Sequence, residues 1–117
     1  MNMVKNIDES TGKELAALLD TIYVIGGKWK MPIIFAICKA DQHRFKELER
    51  SVTGITSRML SLELKQMELN KLITRTVYSE YPVRIEYELT EYCRTLVPML
   101  QSMVDWGMLH KQKIKEN

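Results

Sequence analysis

The sequence predicts a mainly α-helical domain with one small antiparallel β-hairpin set before its last helix, in the order α-α-α-α-β-β-α. Three observations carry this. Apolar residues recur at three- and four-residue spacing along most of the chain, the period drops to two between positions 72 and 89, and the helical period then returns to the C-terminus. At 117 residues the chain fits one domain, and 45% hydrophobic with 27% charged residues is ordinary globular composition.

Residues 1–12 are polar and end in Ser10-Thr11-Gly12, which reads as a flexible arm. The single folded domain is predicted over 13–113, with a charged tail at 114–117. From Glu14 to Val24, the residues Leu15, Leu18, Leu19, Ile22 and Tyr23 make one apolar stripe, the mark of an amphipathic helix. Gly26-Gly27 breaks it. "KMPIIFAICK" (30–39) is apolar on nearly all sides with Pro32 near its start, which predicts the central buried helix.

"RFKELERSV" places Phe45, Leu48 and Val52 at helical spacing, and Thr53-Gly54 follows as a turn. A second helix is predicted over Ile55–Lys71, with Thr56 as N-cap and Leu60, Leu64 and Met67 on its inner face. Ile73, Arg75 and Val77 alternate with Thr74, Thr76 and Tyr78, and Ile85, Tyr87 and Leu89 with Glu86 and Glu88. The prediction is a hairpin of Leu72–Tyr78 and Arg84–Leu89 around "SEYPV". Thr90 then caps a long helix striped by Cys93, Leu96, Val97, Leu100, Val104 and Met108, which Pro98 should bend.

A short helix, a glycine turn and a capped second helix are the parts of a helix-turn-helix, and the hairpin after them makes it winged. Away from its apolar face the second helix carries Ser57, Arg58, Ser61, Leu62 and Lys65. Hydroxyls and cations on one strip suit base edges and phosphates in a major groove, with Arg58 placed for guanine. At the hairpin tip, Tyr81 and Arg84 suit a minor groove or a phosphate. Lys28, Lys30, Arg44 and Lys46 are candidate phosphate contacts: from Gly26 to Arg50 six Lys/Arg face three acids.

"VIGGKWKMPII" (24–34) has the glycines and lysines of a phosphate cradle but lacks G-x-x-x-x-G-K-[ST], and a helix rather than a strand precedes it. It reads instead as a joint between helices, with Trp29 as a core anchor. Cys38 and Cys93 with His43 and His110 give no metal-ligand spacing, so no metal or cofactor is expected. No nucleophile–base pair is visible, both histidines sit in charged, surface-like contexts, and no enzyme is predicted. With no apolar run of membrane length and no signal-like N-terminus, the expectation is cytoplasmic.

The two end helices carry more apolar surface than so small a core covers. Leu15, Leu18, Leu19 and Ile22 are expected to pack on Leu100, Met103, Val104 and Trp106 of a second copy, with two-fold symmetry. The function predicted is a homodimeric, sequence-specific DNA-binding regulator, most simply a repressor, on a palindromic operator. The alternative is a winged-helix module whose same face binds protein. An effector pocket between the end helices and the core is also envisaged, with no ligand named.

The segments "IGGKWK" (25–30), "RFKELER" (44–50), "GITSRMLSLELKQME" (54–68), "LITRTVYSEYPVRIEYELTEYCRTL" (72–96) and "DWG" (105–107) resemble, in this order, the HxlR family of bacterial winged-helix transcription regulators, which is close in fold to the MarR group. The resemblance spans nearly everything beyond the arm. It implies a homodimer through the first and last helices, and it implies that Thr56, Ser57, Arg58, Ser61 and Lys65 face DNA. Thiol-sensing members resemble one another in a first-helix cysteine, and Ala16 stands at that position here. Cys93 replaces a small residue of the family's "TELG" segment. Both cysteines are expected to serve packing.

Overall fold

The computed structural model describes residues 7–116. Positions 1–6 of the expected arm and Asn117 of the expected tail lie outside the described residues. The elements are α1 (Glu9–Ile25), α2 (Lys30–Cys38), α3 (Phe45–Ser51), α4 (Ser57–Leu69), β1 (Ile73–Tyr78), β2 (Arg84–Leu89), α5 (Glu91–Arg94) and α6 (Val97–Lys115).

Helix α1 starts earlier than its apolar stripe suggests, and Ser10-Thr11-Gly12 is helical rather than part of an arm. The Asp8 side chain accepts a 2.7 Å hydrogen bond from the Thr11 N–H, satisfying an otherwise orphaned donor of the first turn. That bond also holds the Asp8 carboxyl below the ordinary carboxylate range. At the other end α6 runs on to Lys115, so Ile114 and Lys115 are helical and the expected tail shrinks. Lys113 and Lys115 lie in its last turn, where cations suit the negative end of the helix dipole.

The predicted last helix is two. Helix α5 ends at Arg94, and α6 begins at Val97 with Pro98 in its first turn. Proline fits there, because the N–H it lacks would have had no helical partner. Pro98 therefore starts a helix instead of bending one, and the Thr95 hydroxyl closes the break by donating to the Tyr92 carbonyl at 2.6 Å.

The joint between α1 and α2 turns by 73°. Gly26 caps α1 with its N–H on the Ile22 carbonyl, and a Cβ there would stand 2.2 Å from that oxygen. Gly27 follows at φ +89°, a left-handed conformation that costs glycine little. Both glycines are required by the turn itself.

The core is one cluster centred on α2, as its composition predicts. Trp29, Ile33, Ile34, Ala36 and Ile37 meet Leu48 of α3, Leu60, Leu64 and Met67 of α4, Leu72, Ile73 and Leu89 of the hairpin, Cys93 of α5, and Leu100 of α6. Each large aliphatic chain so buried contributes about 1.5–3 kcal/mol. The strands pair antiparallel with Ile73 opposite Leu89 and Tyr78 opposite Arg84. The end helices project from this core. The radius of gyration is 17.3 Å, against about 13 Å for a compact chain of this length.

Candidate nucleic-acid interface

Helix α4 is set by its inner face. Leu60, Leu64 and Met67 are fully buried, and the Thr56 hydroxyl accepts from the Met59 N–H at 3.1 Å. The opposite strip is thereby turned outward: Thr56, Ser57, Arg58, Ser61, Leu62 and Lys65 are all exposed. Among the described residues neither Arg58 nor Lys65 takes part in an ion pair. Ser57 is already engaged, because its hydroxyl donates to the Glu49 carboxylate of α3 and so ties the two helices of the motif together. That bond, with Lys46 3.6 Å from Glu49 as a lesser influence, keeps the Glu49 carboxyl below its ordinary range.

The remaining predicted cations divide. Lys28 is exposed, and its ammonium lies 4.8 Å from the Trp29 ring centroid. Arg44 and Lys46 are exposed at the start of α3. Lys30 is not available as a phosphate contact: its ammonium lies 2.9 Å from the Glu63 carboxylate and 3.4 Å from Gln66 Oε1, with both charged side chains largely buried. Position near a helix N-terminus suggested an anion site, but the packing of α2 on α4 supplies the anion from within.

Arg84 is similarly occupied. Its guanidinium lies 3.1 Å from Glu86, 3.4 Å from Glu80 and 4.2 Å from the Tyr78 ring centroid, so it holds the hairpin together instead of reaching from the tip as predicted. Tyr81 stands fully exposed at the tip, next to exposed Val83.

Two residues escaped the sequence reading. Arg75 of β1 joins Ser61, Lys65, Glu68, Leu64 and Tyr87 around a cleft of about 270 Å³ between α4 and the hairpin. The period-two alternation put Arg75 on the Ile73 face, and that was the available signal. The other is His43, which is half-buried rather than solvated as its charged context suggested. Its Nδ1 lies 3.0 Å from the Tyr87 carbonyl and its Nε2 2.7 Å from the Asp41 carboxylate. Burial pulls its pKa down, but the Asp41 and Tyr87 hydrogen bonds with the charges of Glu88 and Asp41 outweigh it and hold the ring above its ordinary value.

On the end helices, Leu18 and Ile22 are more than half exposed, at 55% and 53%, while Leu15 and Leu19 are half-buried. Leu100 was expected in a partner interface, but only 4% of it is exposed: it belongs to its own core. Met103 is exposed, Val104 half-buried, and Trp106 exposed with its ring stacked 5.0 Å from His110. An open apolar groove of about 590 Å³ runs between α2 and α6, past Trp29, Phe35, Met103 and Val104. Cys38 and Cys93 are free thiols, and burial pushes Cys93 up to about 11, far from the thiolate that redox chemistry needs. No single helix among the described residues is long and apolar enough to cross a membrane.

A helix-turn-helix with an outward, partly cationic second helix and a hairpin wing beside it defines a winged-helix transcriptional regulator. The chain belongs to the HxlR-like helix-turn-helix family, which matches residues 24–115. It is 42% identical to the HTH-type transcriptional regulator BH0655 of Halalkalibacterium halodurans over 88 residues, 75% of this chain and 78% of that one. Among solved structures, the redox regulator HypR in its reduced form superposes with a TM-score of 0.77 at 37% identity, covering 85% of this chain and 97% of that one. A MarR-family regulator from Porphyromonas gingivalis W83 superposes with a TM-score of 0.74 at 32% identity, covering 90% and 97%.

Proposed function

We propose that the protein binds DNA sequence-specifically as a homodimer on a palindromic operator, without catalysis or a cofactor, in the cytoplasm, and represses transcription there. The observation that carries the reading is the outer strip of α4, where Arg58 and Lys65 are exposed and unpaired beside the cleft that adds Arg75. Arg58, near the N-terminus of α4, is placed to reach guanine, and Lys65 and Arg75 to meet the flanking phosphates. Lys28, Arg44 and Lys46 extend the cationic footprint.

The dimer reading rests on the projecting end helices. Leu18, Ile22, Met103 and Trp106 leave apolar surface in water on both, and a two-fold partner covers both stripes at once. Two copies of α4 then read successive major grooves about 34–36 Å apart. Repression is the outcome where the operator overlaps a promoter, because the bound dimer then excludes other proteins from it. The groove past Trp29, Phe35 and Met103 is the place for an apolar effector.

The test is selection of bound genomic fragments with the purified protein, followed by titration of a recovered duplex. Arg58→Ala should weaken that duplex by about 1–3 kcal/mol and relax base preference. Unchanged specific binding in that variant would show the α4 assignment to be wrong. Binding that ignores salt would favour a protein-binding face instead.

A further inference from the structure

His43 stands in the loop between α2 and α3, yet its bonds reach the wing. The ring's Nδ1 is 3.0 Å from the main-chain carbonyl of Tyr87, and its Nε2 is 2.7 Å from the Asp41 carboxylate. Both partners only accept hydrogen bonds. A neutral imidazole has a single N–H and can satisfy one of them, whereas the imidazolium satisfies both. The main chain closes the same junction, since the Tyr87 N–H donates to the His43 carbonyl at 2.8 Å.

The surroundings are built for a cation. Asp41 precedes the ring, and Glu88 of β2 lies 3.7 Å from Nδ1. Glu47 of α3 accepts the main-chain N–H groups of His43 and Arg44, both at 3.0 Å. Arg44, next in the chain, is exposed. Asp41 itself sits at φ 55°, a left-handed conformation unusual for a residue with a side chain, and its carboxylate is what meets Nε2.

We propose that His43 is the positioning residue of the wing: as an imidazolium it donates from both ring nitrogens, tying β2 to the α2–α3 loop, and loss of the Nδ1 proton frees the Tyr87 carbonyl and weakens DNA binding. The wing follows because Tyr87 and Glu88 lie on β2, and Tyr87 also lines the cleft that holds Lys65 and Arg75. The remaining proton stays on Nε2, where the Asp41 carboxylate is the stronger acceptor. The Tyr87 carbonyl is then released, the hairpin shifts relative to α4, and the phosphate-facing cations lose their fixed spacing. The inference rests on the DNA-binding reading above, and its test separates the two.

His43 and His110 are the two histidines of the chain, so both rings can be followed by ¹⁵N NMR in the intact protein. The signals of His110, exposed on α6 and stacked on Trp106, are identified by their loss in His110→Gln. His43 should keep both N–H protons above the ordinary imidazole value of about 6.5. A single N–H on His43 below that value overturns the clamp.

Binding is then measured between about pH 6 and pH 8.5 on a fluorescent duplex recovered by the genomic selection. Wild type should lose roughly three- to tenfold in affinity as His43 deprotonates, and His110→Gln should behave like wild type. His43→Gln, which cannot carry the charge, should bind at the weak level throughout with a flat profile. A wild-type profile as flat as that of His43→Gln overturns the proposal. Absence of duplex binding at every pH overturns the DNA reading and the binding half of this one, while the NMR titration still decides the clamp.

Discussion

The ammonium of Lys30 lies 2.9 Å from the carboxylate of Glu63, joining the first turn of α2 to the middle of α4. The exposed fractions of these side chains are 13% and 21%, so water screens the pair weakly. Helix α4 is thus held against the central helix by an ion pair as well as by its apolar face. Lys30→Met leaves Glu63 charged and without its partner. Its stability to urea should fall by about 1–3 kcal/mol, below the figure for a fully buried pair because some solvent remains. The double variant Lys30→Met, Glu63→Leu should recover most of that loss, and if it does not, the pair is not what holds these helices.

At the opposite end of α4, Lys71 sits at φ 62°. The Leu72 N–H bonds the Met67 carbonyl and the Lys71 N–H the Glu68 carbonyl, which is a Schellman termination with lysine where glycine is favoured. A left-handed residue with a side chain costs about 1–2 kcal/mol, part of which glycine gives back through its freer unfolded chain. Lys71→Gly should therefore raise stability by about 0.5–1 kcal/mol, read as a higher thermal midpoint. A lower midpoint would refute the strain argument.

The His43 pKa is raised in the folded protein, which fixes the sign of its contribution to stability. The ring binds its proton more tightly folded than unfolded. Its contribution is fully present below the unfolded value of about 6.5 and is lost as pH rises through the folded value. Between mildly acidic and mildly alkaline buffer, wild type should lose stability relative to His43→Gln. Parallel denaturation curves for the two proteins across that range would contradict it.

The cations that surround the α4 cleft should behave as phosphate contacts. Lys65→Ala and Arg75→Ala should each weaken all duplexes similarly and lower the salt slope of binding by about one. Arg84→Ala should leave the slope nearly unchanged, because Glu80 and Glu86 already neutralise that guanidinium. A full unit of slope lost in Arg84→Ala would mean that its ion pairs open on DNA.

The two end-helix leucine and isoleucine positions separate assembly from folding. Ile22→Glu places a charge on an exposed stripe, and sedimentation should show monomers that remain folded. Leu100→Ala removes a core side chain and should cost about 2–5 kcal/mol of stability. If Ile22→Glu sediments as wild type does, the α1 stripe is not a dimer interface.

The element order as far as β2, the hairpin and the inner and outer faces of α4 are legible in the sequence, because these follow from periodicity and caps within a few residues. Thr56 and the Leu60, Leu64 and Met67 face needed nothing from elsewhere in the chain. The boundaries of α1 and the split at Pro98 were hidden because Ser, Thr, Gly and Pro occur both in loops and in first turns. Which charges remain free depends on the geometry of their neighbours, near or far along the chain. Lys30 is taken by Glu63 and Arg84 by its acidic neighbours, while Arg75 and His43 acquire their surroundings from packing. Periodicity places a residue on a face, but a charge is neutralised by whatever packs opposite, and Glu63 beside Lys30 and Tyr87 beside His43 stand dozens of positions away along the chain.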